Sequence, residues 1–438
     1  MLSREDNETL CRVGPGTPMG TLMRQYWIPA GLSEELLDRD GPPVRIKLLG
    51  EQLIAFRDSA GTIGLIQENC PHRGASLFFG RNEEEGLRCV YHGWKFNTAG
   101  TCVDMPNEPP ESNFKHKVRV TAYPCLERGG IVWTYMGPRE TPPPLPHLEA
   151  NMMPEGEYSV QVMQRECNWM QALEGDIDTG HTVFLHLGAM QPEQAPEGSY
   201  ARLSLEDRAP HYESVDTEIG TMYGCYRPLG PEHTYWRIAQ FLFPFYAMIP
   251  TGILGLEVRY RAWVPMDDGH TLAYSVNSVS RYARSVDGRP APNVDMLPNS
   301  TDWYGRFRCA DNARNDYNID RAAQARKDSF TGISAIFIQD QAVTESMGEI
   351  YDRTQERLGT SDLMIIRTRR RLINAAKALR DQGKPPPGID EPDAWAQRTG
   401  SAVLPNGANW VESTKELRRG FVDHPELSRD PLGGIAAV

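Results

Sequence analysis

Cys70-Pro71-His72-Arg73-Gly74 and Cys89-Val90-Tyr91-His92-Gly93-Trp94 are two short loops, each with one thiol and one imidazole, and 16 residues separate His72 from Cys89. Together they present four soft or borderline metal ligands. Free thiols and imidazoles would have to fall into this double pairing by chance. The rival is zinc, but a tetrahedral site of two cysteines and two histidines usually takes its cysteines from one loop and its histidines from another. Here each loop mixes the types. That suits a two-iron cluster reached by both loops, with the thiolates on one iron and the imidazoles on the other. Neutral imidazoles remove negative charge from such a cluster and ease its reduction. Gly74 and Gly93 let the backbone approach it closely.

Working outward, short β-rich runs surround the loops: Val44–Leu49, Gln52–Phe56, Ile63–Ile66 and Gly130–Tyr135, with Gly and Pro turns between them. They predict a small antiparallel β domain over 44–146, closed by the stiff stretch Gly137-Pro-Arg-Glu-Thr-Pro-Pro-Pro-Leu-Pro146. Residues 1–43 read as a helical lead-in packing on the catalytic unit, punctuated by Pro18 and Pro29. From His147 to 438 the texture is mixed. A helix is expected around Cys167–Leu187, strands over 201–228, 234–249 and 254–280, and helices over 331–348 and 362–382. In the last, Arg367, Arg369, Arg370 and Arg371 read as a solvated basic face. Strands followed by helices make the class α+β: the small β domain plus a larger domain with an antiparallel sheet covered by helices.

Composition narrows the function classes. The 438 residues are 40% hydrophobic and 24% charged, ordinary for a globular chain and unlike a disordered one. A net charge of −12 disfavours nucleic acid and anionic membrane surfaces as partners. The uncharged run Ile238–Leu256 contains Pro244, Pro250, Gly252 and Gly255, so it reads as two buried strands and a turn, not a membrane span. The start lacks a signal-peptide pattern, and eight cysteines without one predict reduced thiols and metal ligands in the cytoplasm.

The C-P-H-R-G … C-x-Y-H-G-W pattern resembles the oxygenase component of Rieske non-haem iron ring-hydroxylating oxygenases. The text from Arg45 through Pro109 is similar to the phthalate-dioxygenase-like branch, whose α subunits are about this long. The resemblance implies a Rieske [2Fe-2S] cluster on Cys70, His72, Cys89 and His92, and a second, mononuclear Fe(II) that uses O2. For that iron, Asn168-Trp-Met-Gln-Ala-Leu-Glu-Gly-Asp-Ile-Asp178-Thr-Gly-His181-Thr-Val-Phe-Leu-His186 is the candidate. Alone, a pair of histidines five apart is a weak signal. They lie about 140° apart on an ideal helix, so Gly180 or a local distortion must bring them onto one metal. Asp178 and His181, three apart, would share a helix face.

By resemblance His181 and His186 are iron ligands, completed by a later carboxylate into a facial triad with open positions for O2. Asp340, in Ile336-Phe-Ile-Gln-Asp340-Gln-Ala-Val-Thr-Glu345, is the chosen carboxylate, with Glu345 the fallback. Ile336, Phe337, Val343 and Thr344 surround Asp340 at helical spacing and predict a core-facing position. Asp178 matches the family's bridging aspartate, which links a cluster histidine of one subunit to an iron histidine of its neighbour. This implies a closed ring, most simply a trimer or a multiple of it. Asn168 stands near the family's iron-proximal amide, with a plain helix cap the equal reading.

No dinucleotide signature is present, so the resemblance implies electrons from a separate reductase, usually flavin plus ferredoxin. The expected substrate is an aromatic acid, cis-dihydroxylated or, on the same iron, O-demethylated. Arg208, Arg227, Arg237 and Arg259 are candidate carboxylate holders, each also readable as an exposed strand arginine. His211, where a second arginine-like group is expected, and the apolar Phe241–Ile249 point away from phthalate and towards a larger, partly apolar acid such as a biaryl or phenoxybenzoate. Without the second site, the chain would be an electron-transfer protein.

Overall fold

In the computed structural model, which describes residues 1–109, 111–195, 199–278, 294–425 and 427, Val44–Leu48, Glu51–Arg57, Ile63–Gln67 and Ala122–Tyr123 pair antiparallel in that spatial order. Their side chains alternate as a pleated strand requires. Leu53, Ala55 and Leu65 enter the main core, while Ile54, Phe56 and Ile66 turn to a second core shared with Cys70, Cys89 and Trp94. A meander of Arg81–Glu83, Gly86–Arg88, Lys95–Phe96 and Cys102–Asp104 faces it and carries the second loop between its middle strands.

The lead-in departs from expectation. Helices Arg4–Cys11 and Pro18–Met23 form, capped by the Ser3 and Thr17 hydroxyls, with Pro18 in the first turn, where a missing N–H costs nothing. Trp27–Leu32, however, is a strand paired with Ile131–Tyr135, which in turn pairs with Cys125–Arg128. Its Pro29 sits at a register shift, where proline's lack of a donor does least harm to a ladder. Trp27, Trp133 and Trp169 then share one core that joins this sheet to the larger unit.

The larger unit is built on an eight-stranded antiparallel sheet. Its order is Tyr158–Arg165, Thr271–Ser278, Arg259–Pro265, Tyr246–Met248, His233–Leu242, Gly220–Leu229 and His211–Thr217, with Gly400–Pro405 also pairing His233–Leu242. Helix Leu363–Gln382 covers Gly220–Leu229 and His211–Thr217, and helix Trp169–Asp176 covers Arg259–Pro265. The fold is therefore α+β, as expected. Residues 279 and 280 of the expected third strand segment lie outside the described residues. Among the described residues no helix is long and apolar enough to cross a membrane.

Three local expectations are corrected. Residues 201–206 belong to helix Tyr200–Glu206, because Ala201, Ser204 and Leu205 bury at helical spacing and the Ser199 hydroxyl caps the start. The expected single helix over 167–187 is two, Trp169–Asp176 and Thr182–Leu185. Between them Asp178 Oδ1 accepts the Gly180 N–H at 2.6 Å, a local bond that competes with helix. The arginine face is not solvated. Arg369 is 4% exposed and pairs with Glu174 and Glu356, both at 2.5 Å, while Arg371 donates to the Thr217 and Gly220 carbonyls. Only Arg370 of the four is exposed; Arg367 pairs with Asp216. Glu174 also holds Arg353 at 3.2 Å, so this ionic cluster anchors the helix that leads to Asp178.

Candidate metal centres

The two cysteine loops are copies of one turn. Cys70 N–H donates to the Ala75 carbonyl and Gly74 N–H to that of Cys70; Cys89 N–H donates to Trp94 and Gly93 N–H to Cys89, all within 2.8–2.9 Å. Gly74 and Gly93 take left-handed φ values of +75° and +78°, which glycine adopts without a Cβ penalty. The result brings the His72 and His92 rings to 4.4 Å between centroids, with His72 stacked on Trp94 at 4.4 Å. Cys70 and Cys89 are buried side by side. Burial first, and the neighbouring Cys89, push the Cys70 thiol up to about 11 against the pull of the His72 amide. The Nδ1 atoms of both imidazoles are buried without a hydrogen-bond partner. Two orphaned imidazole nitrogens and two adjacent thiols fit a metal group.

Spacing separates the two metal readings. Four donors on one tetrahedral zinc would lie about 3.3–3.8 Å apart. No three of these four come within 4.8 Å of one another, whereas a cluster with two irons spreads its donors in pairs. The two glycines differ in surroundings. A Cβ on Gly93 would sit 2.6 Å from Pro106 Cγ, while one on Gly74 meets nothing within 4 Å. Against the protein's own atoms Gly74→Ala should therefore cost only the left-handed strain, about 1 kcal/mol. Gly93→Ala should lower the melting temperature further; equal shifts in the two would count against the packing argument.

At the second site, helix interruption solves the angular problem. His181 ends the Asp178–Gly180 turn and His186 follows the single helical turn Thr182–Leu185. Their Nε2 atoms meet at 3.1 Å, and Asp340 Oδ1 lies 3.3 Å from His186 Nε2 and 3.6 Å from His181 Nε2. Three donors about 2.1 Å from one ion at about 90–110° would lie about 3.0–3.5 Å apart, so this triangle could hold a metal with one face open. Among the described residues it is the group of three His, Cys, Asp or Glu donors gathered this closely. Burial works against charge on Asp340, yet the hydrogen bond and charge of His186, then His181 and Arg165, hold its pKa below the usual carboxylate value. Burial would lower His181, but its bond to Asp178 and the charge of Asp340 bring its pKa above the ordinary imidazole value.

Asp178 accepts from His181 Nδ1 at 3.3 Å through Oδ2 while Oδ1 holds Gly180. The two are close through a turn, not through a shared helix face. Glu345 is engaged elsewhere, accepting from Glu166 N–H at 2.8 Å and the Tyr317 hydroxyl at 2.7 Å. Asn168 caps its helix through Met170 N–H and donates to the Cys11 and Asp268 carbonyls, which leaves the iron-proximal role without a free group. Of the residues named around Asp340, Thr344 is buried and Phe337 half-buried, as a core-facing position requires, but Ile336 and Val343 are 37% and 38% exposed, and Gln339 and Gln341 are buried instead. Two residues went unnoticed in the sequence. Gln339 accepts from His186 Nδ1 at 2.7 Å, and Arg165, fully buried, lies 3.9 Å over the Phe337 ring and donates to the Phe337 carbonyl. Neither has a signal of its own; adjacency to Asp340 singles out Gln339 only once the triad is known.

The candidate arginines separate. Arg208 is exposed and Arg259 pairs with Glu257, but Arg227 and Arg237 are buried, contrary to the exposed reading. Arg227 donates to the Asp207 carbonyl; Arg237 donates to Thr179 Oγ1 and the Pro250 carbonyl. His211 is exposed and stacks on Tyr226.

Comparison with known proteins now bears on these sites. Residues 26–124 match the Rieske [2Fe-2S] domain family, and residues 134–426 match the family described as LigXa C-terminal domain like. The 3-chlorobenzoate-3,4-dioxygenase oxygenase subunit of Comamonas testosteroni is 46% identical over 433 residues, covering 96% of this chain and 100% of that one. The phthalate 4,5-dioxygenase oxygenase subunit of Pseudomonas putida is 37% identical over 401 residues, 86% of this chain and 87% of the other. Among solved structures, dicamba monooxygenase bound to 3,6-dichlorosalicylic acid superposes with a TM-score of 0.57 at 16% identity, over 83% of this chain and 100% of that chain, a likeness of fold. With both of its domains and nearly its whole length matched, the chain belongs to the Rieske non-haem iron aromatic ring-hydroxylating oxygenases, in the phthalate-dioxygenase-like branch, as an oxygenase subunit with a [2Fe-2S] cluster and a mononuclear iron.

Proposed function

We propose that this oxygenase subunit cis-dihydroxylates the ring of an aromatic carboxylate, with electrons from a separate NAD(P)H reductase of flavin and ferredoxin type. The observation that carries the carboxylate is Arg237. It is 4% exposed, is in no ion pair among the described residues, keeps a buried Nε–H without a partner, and holds Thr179, the residue between Asp178 and Gly180. A buried guanidinium that bonds Thr179, two residues before His181, and otherwise meets only the Pro250 carbonyl and the Tyr200 ring has no anion to balance its charge. The relatives named for 3-chlorobenzoate and phthalate support the same substrate class.

In this reading Cys70, Cys89, His72 and His92 hold the cluster, and His181, His186 and Asp340 hold the mononuclear iron from one side. The bound groups supply one-electron transfer and O2 activation at an open ferrous face. Asp178 orients His181 and links it to a cluster histidine of the neighbouring subunit. Val90 and Tyr91, more than half exposed beside His92, support a face that meets another subunit, and head-to-tail closure gives a trimer most simply. The six cysteines outside the cluster loops form no disulfide among the described residues, which supports a reducing, cytoplasmic location.

The test supplies reductase and NAD(P)H and follows O2 uptake and products across benzoate, chlorobenzoates, phthalate, phenoxybenzoate and methoxybenzoates, with the matching amides as controls. A cis-diol carrying both atoms of labelled O2, from acids and not amides, is expected. Formaldehyde from a methoxybenzoate in place of a diol would assign O-demethylation. No coupled turnover with any acid, at full iron content, would sink the carboxylate. Arg237→Met should raise KM for the acid about 10–100-fold, the worth of a charge-assisted hydrogen bond, with iron content unchanged.

A further inference from the structure

His186 donates from Nδ1 to Gln339 Oε1 at 2.7 Å, and Gln339 donates from Nε2 to the Ile333 carbonyl at 2.7 Å. Gln339 is itself buried. The ends of a primary amide differ only in that one accepts and the other donates. The Ile333 carbonyl can only accept, so it settles which end lies where. Turned over, the amide would set oxygen against oxygen at Ile333. Its oxygen therefore faces His186, and the imidazole must carry its proton on Nδ1 to meet it. That leaves the Nε2 lone pair for the side where His181 Nε2 and Asp340 Oδ1 stand, at 3.1 and 3.3 Å.

We propose that Gln339 is a positioning residue, which locks His186 in the Nδ1–H tautomer and so presents Nε2 to the mononuclear iron; the inference rests on the proposed His181–His186–Asp340 triad. Gln339 and Asp340 are consecutive on the helix Ile336–Glu345, so one dipeptide supplies the third donor and aims the second. The two imidazoles are held unequally. His181 bonds a carboxylate, Asp178, which strengthens it as a donor, whereas His186 bonds a neutral amide. The fixed end of the amide also makes the arrangement directional, because Ile333 lies just before the same helix.

The experiment uses the full-length holoenzyme, stripped of mononuclear iron by a chelator under conditions that retain the cluster colour. Native, Gln339→Met, Gln339→Leu, Gln339→Glu and His186→Ala chains are titrated with Fe(II) and with Co(II), the latter read by its d–d absorption. Gln339→Met and Gln339→Leu should weaken metal binding about 10–100-fold, with the Rieske spectrum unchanged. Buried against the Ile333 carbonyl, the carboxyl of Gln339→Glu keeps its proton on that side, so it still accepts from His186 and donates to Ile333, and it should bind within about 3-fold of native. Native-like affinity in the methionine and leucine variants overturns the proposal. So does a glutamate variant as weak as they are, since it keeps the acceptor that faces His186 Nδ1. His186→Ala separates the two levels: if it binds Co(II) as the native chain does, the triad itself is wrong.

Discussion

Replacing His181 with alanine abolishes product, on the order of a 10³-fold loss or more, while the Rieske absorption and low-average-g EPR signal of the reduced protein stay at native strength. Iron falls from about three per chain to about two. The reasoning is local. His181 Nε2 is one of three donors in a triangle with sides of 3.1, 3.3 and 3.6 Å, and alanine leaves two, too few to retain Fe(II) against dilution. Cys70 and Cys89 lie in a separate core with Ile54, Phe56 and Phe96, and His72, beside His92, stacks on Trp94 of that core, so their spectrum reports independently on folding there. Iron, acid-labile sulfide and EPR on one sample distinguish the outcomes. Loss of the Rieske signal together with activity would mean that His181 supports the fold and not the metal. Retained turnover would remove it from the site.

What made these sites legible is unequal. The cluster loops could be read directly, because the chemistry requires both ligand types at short spacing and the structure repeats one turn at Cys70–Ala75 and Cys89–Trp94. The β-rich runs around them also stood out, since Leu53–Phe56 buries alternate residues in two different cores. Asp340 was chosen as the family's late carboxylate in a core-facing position, and the apolar pattern around it held only in part: its helix buries Thr344 but exposes Ile336 and Val343 and buries glutamines in their place. Those glutamines are satisfied, where they are, by partners far along the chain, His186 for Gln339, and no local pattern encodes such a partner. The same holds for Arg369, which looks like a surface charge until Glu174 and Glu356 arrive from elsewhere. Trp27–Leu32 was missed for a related reason. Its strand partner lies about a hundred residues away, and Pro29 disguised the run as a lead-in, although a bulge accommodates it.

Asp178→Asn is the sharper test of the proposed coupling between subunits. Asp178 uses both oxygens: Oδ1 takes the Gly180 N–H at 2.6 Å and Oδ2 takes His181 Nδ1–H at 3.3 Å. Asparagine has one oxygen and one NH2. If the oxygen keeps the Gly180 turn, the NH2 faces another donor at His181; if it keeps His181, the turn loses its bond. Either way the iron histidine loses the carboxylate that orients it, and the link to the neighbouring subunit's cluster histidine loses its charge. The three donors themselves remain, so about three irons per chain should still be found. Turnover should fall about 10–100-fold, and the reduced cluster should be reoxidised more slowly by the same factor in a single turnover with substrate and O2 present. The comparison between those two rates is what assigns the role. A slowed reoxidation at full iron content places Asp178 on the path between the sites. Loss of the mononuclear iron would make it a support for His181 alone. Near-native turnover would leave Gly180 as its sole business, a turn residue that happens to sit beside the metal.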